Sequence, residues 1–284
     1  MVDRDGYLPG VPCWVDVSSP DPEAAAEFYG GLFGWEFADA TAPGASGKYF
    51  IARLRGRDVA AVGSQPEGGP PVAAWNTYVW VQSADDTASK VQAAGGRVLM
   101  APVDVSDAGR MAVFADAEGA AICAWQANMH KGAEVVNEAG SVNFNVLNTR
   151  DVDRAKAFYG AVFGWETLDL PGGFGAWRLR GYGDYLEEHE PGLRRRQAQT
   201  GAPEDFADVV ASFIGVADDQ PPHWSVTFAA DDADAVADKA AQLGGEIVVP
   251  PVDAPWVRTT VIRDPQGATF TASKFVPENR DVSG

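Results

Sequence analysis

Three strand-like runs gather chemically capable side chains onto single faces. Successive strand residues point to opposite sides, so in Val11–Ser18 Trp14 and Asp16 share one face, while Val15 and Val17 share the other. In Trp75–Val81 the residues Asn76, Tyr78 and Trp80 alternate with apolar Val79 and Val81, and further on Cys123 and Trp125 form a third such pair. Taken as one surface, these residues offer aromatic walls with one carboxylate, one amide and one thiol. Such a surface suits a planar or hydrophobic ligand. Strand aromatics are also ordinary core material, and that reading stands beside the first.

Each reactive group has two uses. Asp16 can act as a general base if partly desolvated, or it can anchor a buried hydrogen-bond network. Cys123 is a nucleophile only if a base or a positive neighbour favours its thiolate; otherwise it is a small buried thiol. Arg110, in Asp107-Ala108-Gly109-Arg110, can meet an anionic or carbonyl group, or form a surface salt bridge. There are three histidines. His130 falls in a linker. His189 sits in Glu187-Glu188-His189-Glu190, which reads as a solvated helix face. His223 precedes Ser225 by two residues.

An internal repeat shows what positions these groups. Phe28-Tyr29-Gly30 and Phe33-Gly34-Trp35-Glu36 return as Phe158-Tyr159-Gly160 and Phe163-Gly164-Trp165-Glu166. Gly95-Gly96, Pro102-Val103-Asp104, Asp116 and Gly119 return as Gly244-Gly245, Pro251-Val252-Asp253, Asp264 and Gly267. The larger offset of the later matches implies an insertion in the second copy between Gly175 and His223. Repeats of this kind define an architecture before any local reading does. Within each copy the order strand, helix, three strands occurs twice. Asp21 is the expected N-cap of the first helix and Pro22 fits its first turn. Gly95-Gly96 stops the second helix, which runs from about Asp85 to Ala94. In the second copy the matching segments are Phe144–Leu147, Val152–Tyr159, Trp224–Ala229 and Asp232–Leu243. The expected organisation is domain 1 over 1–127, a linker over 128–140, domain 2 over 141–276 and a tail over 277–284. The insertion, at about 181–213, reads as two short helices, Glu187–Gln199 and Pro203–Phe213. Placed beside a binding site, they can form a lid or serve as packing.

Composition narrows the partners. The formal net charge is −18 over 284 residues, a surface that repels phosphate backbones and anionic lipid heads. Nucleic acid and membranes are therefore not expected. The one dense basic run, Arg194-Arg195-Arg196, follows an acidic block and reads as a solvated helix. Cys13 and Cys123 are too few for a disulfide framework, and the opening residues lack the basic and apolar stretches of a signal peptide. A cytoplasmic protein, monomeric or homodimeric, is the expectation.

The repeated strand–helix segments ending in Phe28-Tyr29 and Phe158-Tyr159, the Phe-Gly-Trp after each, and the Asp116-x-x-Gly119 and Asp264-Pro265-x-Gly267 turns resemble the vicinal oxygen chelate superfamily of glyoxalases, extradiol dioxygenases and bleomycin-resistance proteins. Trp125-Gln126-Ala127-Asn128, His130-x-Gly132-Ala133 and Asn137-Glu138 resemble, more narrowly, fused two-domain glyoxalase-like proteins of actinobacteria. The resemblance implies an α+β fold of tandem glyoxalase-like domains, each of two βαβββ units forming a cupped mixed sheet. It also implies metal ligands at set strand positions. Those positions fall here on Trp14, Asn76 and Cys123 in the first copy and on Phe144, Ser225 and Thr271 in the second; the fourth falls near Val62 or Gly63. None is the usual His or carboxylate.

Two different cups are expected. The first is aromatic, with Trp14, Asn76, Tyr78, Trp80, Arg110 and Trp125 as ligand-binding candidates and Asp16 and Cys123 as catalytic ones. The second is hydroxyl-rich through Ser225, Thr227 and Thr271, over a core side of Val226, Phe228, Phe270 and Ala272. The expected function is binding of a small aromatic or hydrophobic molecule without a cofactor. The alternative is a lyase, isomerase or hydroxylase of the same superfamily acting on a small metabolite, with a divalent metal as the runner-up cofactor. A third reading is an interaction module with vestigial cups.

Overall fold

The computed structural model describes residues 6–66, 68, 72–170 and 175–282. The first five residues of expected domain 1 and the last two of the expected tail lie outside them. The first half holds β1 (Pro12–Ser19), α1 (Pro22–Phe33), β2 (Glu36–Asp39), β3 (Tyr49–Leu54) and β4 (Arg57–Ser64). It continues with β5 (Ala74–Trp80), α2 (Ala84–Ala93), β6 (Arg97–Val105), β7 (Gly109–Ala115) and β8 (Ala121–Ala127). The second half repeats this as β9 (Val142–Thr149), α3 (Val152–Phe163), β10 (Glu166–Asp169) and β11 (Gly175–Arg178). After α4 (Tyr182–His189) and α5 (Leu193–Gln199) come β12 (Val209–Gly215), β13 (His223–Ala229) and α6 (Ala233–Gln242). The chain closes with β14 (Glu246–Ala254), β15 (Val257–Arg263) and β16 (Thr269–Phe275).

Two mixed eight-stranded sheets result, ordered β2-β3-β4-β1-β5-β8-β7-β6 and β10-β11-β12-β9-β13-β16-β15-β14. In every strand–helix–three-strand unit the first strand pairs in parallel with the last, as β1 does with β4 and β13 with β16. Such a parallel pair needs a helical crossover, which α1, α2, α3 and α6 provide.

The helices begin and end where local chemistry dictates. Asp21 accepts the N–H of Ala24 at 3.0 Å and Asp151 that of Arg154 at 2.9 Å, satisfying otherwise orphaned donors. Pro22 occupies the first turn of α1. Gly34 and Gly164 close α1 and α3 in the left-handed region, with φ of 71° and 74°, where a Cβ is disfavoured. The glycine of each repeated Phe-Gly-Trp is thus a helix stop.

The insertion differs from its expected form. Helical structure starts earlier, at Tyr182, and breaks at Pro191-Gly192, where the Glu187 carboxylate accepts the N–H groups of Gly192 and Arg194. Val209–Phe213, expected as helix, lies in β12, which pairs with β11 and runs parallel to β9. Its Val-Val-Ala-Ser-Phe-Ile sequence is rich in β-branched residues, and ladder pairing on both sides overrides any helical reading. The insertion therefore lengthens the β11–β12 connection, which at β3–β4 is only the turn at Arg55-Gly56.

The chain forms two compact units, and each takes segments from both halves of the sequence. One comprises Trp14–Thr77, Gly132–Asn143 and Ser225–Gly284; the other comprises Met1–Cys13, Tyr78–Lys131 and Phe144–Trp224. The first has a core of Val15, Val17, Phe28, Trp75, Val226, Phe228, Phe270 and their neighbours. The second is built on Val79, Val91, Phe114, Ile122, Phe158, Trp177 and Trp224. The valines of β1 and β5 and the apolar residues of β13 and β16 pack as alternation predicts. In both units a buried tyrosine carries the core. Tyr29 donates to Asp264 Oδ2 at 2.8 Å and accepts from Trp75 Nε1 at 3.0 Å. Tyr159 donates to Asp116 Oδ2 at 2.8 Å and accepts from Trp224 Nε1 at 2.8 Å. Burial holds both phenols well above the ordinary tyrosine pKa, so they remain donors.

Candidate functional site

In the first compact unit, the face of β1 turned away from the valine core carries a connected polar chain. Trp14, 5% exposed, donates its Nε1 proton to Tyr49 Oη at 3.2 Å. Tyr49, from β3, donates in turn to Asp16 Oδ2 at 3.1 Å. Asn76, from β5, donates its Nδ2 protons to Asp16 Oδ1 at 2.8 Å and to Ser18 Oγ at 3.0 Å. Asp16 is equally buried, so each neutral donor offsets part of the cost of removing a carboxylate from water. Trp14, Asp16 and Asn76 are thus brought together, and the network expected of Asp16 as one of its two uses is present. Two members escaped the sequence reading. Ser18 continues the Trp14/Asp16 alternation and was legible from it. Tyr49 comes from a strand whose neighbours no local pattern names.

The other compact unit holds the remaining first-copy candidates. The Tyr78 and Trp125 rings meet edge to face at 6.5 Å, and Trp125 Nε1 donates to the His130 carbonyl at 3.0 Å. Tyr78 and Cys123 are opposite each other in the parallel β5–β8 ladder, and both are buried. The half-buried Trp80 stands 6.1 Å from the Tyr7 ring. The Cys13 thiol reaches the Tyr78 carbonyl at 3.5 Å, and burial pushes its pKa far up, which leaves it an inert thiol.

Arg110 takes the salt-bridge arrangement. Its Nε and Nη2 donate to the Asp85 carboxylate at 3.0 and 3.2 Å, and Nη1 donates to Asp104 at 2.9 Å. Arg258 repeats this with Asp234 and Asp253, so the duplicated Pro-Val-Asp motif supplies one carboxylate of each clamp. Paired guanidinium groups hold Asp85 and Asp234 below the usual carboxylate range. These clamps are exposed and so weakly stabilising. Arg110→Gln is expected to lower the melting temperature slightly in dilute buffer, with the difference vanishing in molar salt; a scan at both ionic strengths checks this.

In the second copy Thr227 and Thr271 pair across β13 and β16, with Thr227 buried and Ser225 and Thr271 half-buried. His223 stays exposed, its Nδ1 2.9 Å from the Pro221 carbonyl. His189 Nδ1 lies 2.8 Å from the Tyr185 carbonyl on α4.

The glyoxalase/bleomycin resistance protein/dioxygenase superfamily model matches residues 14–124 and 141–271. The chain belongs to this superfamily. It is 41% identical over 283 residues to a Mycobacterium tuberculosis protein named "Putative glyoxylase CFP32", covering 98% of this chain and all of the relative. It is 35% identical to the anthracycline biosynthesis protein DauV of Streptomyces sp., covering 93% of each. Its fold matches the Mn(II)-bound glyoxalase of Novosphingobium aromaticivorans with a TM-score of 0.59 at 16% identity, over 96% of this chain and 83% of the other. The 2,3-dioxygenase LapB of Pseudomonas sp. KL28 matches equally, at 11% identity, over 94% and 93%.

The superfamily implies a divalent metal, and the residues present do not fit one. Trp14 and Phe144 have no lone pair to give, and Cys123, the one strong donor at these positions, is a buried thiol that no two further His, Cys, Asp or Glu side chains join among the described residues. Asn76 turns its amide nitrogen toward Asp16, and Ser225 and Thr271 are weak neutral donors. Among the described residues, no three His, Cys, Asp or Glu side chains are grouped to hold a metal ion. No helix among them is long and apolar enough to cross a membrane.

Proposed function

We infer that this superfamily member binds a small planar aromatic molecule through the Trp14–Tyr49–Asp16–Asn76 face, with protein hydrogen bonds in place of a metal. The carrying observation is Trp14 at a ligand position, its indole fixed by Tyr49 so that a flat aromatic surface is pre-organised. The relatives named for anthracycline biosynthesis support a fused-ring ligand, since an anthracycline is a planar hydroxyquinone. Asp16 accepts hydrogen bonds in this reading and is not required to react.

Titration of the full chain with quinizarin, a dihydroxyanthraquinone, followed by calorimetry tests it. The expected result is saturable one-site binding with a micromolar or tighter Kd, unchanged after exhaustive chelation. Absence of binding, or binding that chelation abolishes and one divalent metal restores, overturns the reading.

A further inference from the structure

The hydrogen-bond directions around Asn76 decide what its other end can do. Both of its contacts, to Asp16 Oδ1 and to Ser18 Oγ, use Nδ2. A carboxylate can only accept, so the amide must turn its N–H2 end toward Asp16. Its carbonyl oxygen is therefore directed away from the carboxylate. Ser18 Oγ is already an acceptor for Asn76, which leaves its own proton to donate elsewhere. Among the described residues neither the Asn76 carbonyl nor the Ser18 proton has a further partner. Both side chains are half-buried. One acceptor and one donor thus belong to neighbouring side chains, joined by the 3.0 Å bond from Asn76 Nδ2 to Ser18 Oγ, on the face that carries Trp14.

We propose that Asn76 Oδ1 and Ser18 Oγ–H form a specificity pair that reads an aromatic edge bearing a hydroxyl beside a carbonyl. The ligand hydroxyl donates to Asn76 and the ligand carbonyl accepts from Ser18. Asp16 is then a positioning residue: by holding the Asn76 amide nitrogen it fixes which way the carbonyl points. This inference rests on the binding reading above and adds the chemical class, a hydroxyquinone rather than any flat hydrocarbon. A ring without the hydroxyl leaves the Asn76 carbonyl desolvated and unpaired, a mismatch that such sites reject.

The test is calorimetric titration of the full chain with quinizarin and with anthraquinone, which keeps the carbonyls and lacks the hydroxyls. The parent is expected to prefer quinizarin by about tenfold or more. Asn76→Ala should reduce that preference to near unity. Ser18→Ala, which leaves the Asp16 contacts in place, should weaken both ligands by a similar factor of about five and keep the preference. Thermal melts confirm that each variant is folded, and Ser18→Ala alone still decides if Asn76→Ala does not fold. Equal affinity of the parent for the two rings, or unchanged affinity in Ser18→Ala, overturns the specificity pair while leaving aromatic binding intact. Failure of the parent to bind either ring removes both proposals.

Discussion

Replacing Asp264 with alanine is expected to destabilise its compact unit by about 3–5 kcal/mol, because one carboxylate serves several buried groups. Oδ2 accepts the Tyr29 hydroxyl, while Oδ1 accepts the N–H groups of Gln266 and Ala268 in the repeated Asp-x-x-Gly turn. Alanine leaves a buried phenol and a turn without their acceptor. At this size the loss corresponds to roughly 10 °C in melting temperature. Asp264→Asn should cost about 1–2 kcal/mol, since the amide oxygen still serves the turn but its nitrogen cannot accept from Tyr29. Burial raises the Asp264 pKa, chiefly by desolvation. The folded state therefore takes up a proton before the unfolded state does. Between the raised pKa and the ordinary aspartate value, stability from this group rises as pH falls. The parent should thus gain on Asp264→Asn upon mild acidification, which paired denaturant titrations at neutral and acidic pH measure. A melting temperature for Asp264→Ala within a degree of the parent's would show that the Asp264 contacts to Tyr29 and the turn contribute nothing to stability.

The second large effect concerns binding. Trp14→Ala is expected to weaken quinizarin binding roughly tenfold to a hundredfold, the range lost when one aromatic stacking platform is removed. Tyr49→Phe should have a smaller effect in the same direction. It keeps a ring but breaks the Trp14–Tyr49–Asp16 chain, so the indole loses its fixed orientation. Calorimetry gives both numbers, with the melting curve as a folding control. If Trp14→Ala binds as the parent does, the ligand sits elsewhere.

The repeated residues that carry the family likeness prove to be scaffold. Gly34 and Gly164 stop helices, Tyr29 and Tyr159 anchor cores, and Asp116 and Asp264 cap turns. The Trp of each Phe-Gly-Trp is fixed by a backbone carbonyl: Trp35 Nε1 donates to Gly140 and Trp165 Nε1 to Gly10, both at 2.7 Å. This explains why the superfamily is easy to recognise in the chain while its metal chemistry is not. The motifs report on folding, and folding does not fix the chemistry of a site.

From the sequence by itself came the duplication, read from its matched residues, and the unit order, the caps, and the core and outer faces of β1, β5, β13 and β16. The last three rest on short-range physics: alternation, helix-end hydrogen bonding and the conformational freedom of glycine. The tertiary structure alone decided that Tyr29 meets Asp264 across 235 residues, that Val209–Phe213 is strand, and that Tyr49 joins Trp14 to Asp16. In these cases the partner is chosen by strand pairing and core packing between distant segments. A hydrogen bond specifies the geometry of its two ends, and nothing in the local sequence of one end names the other.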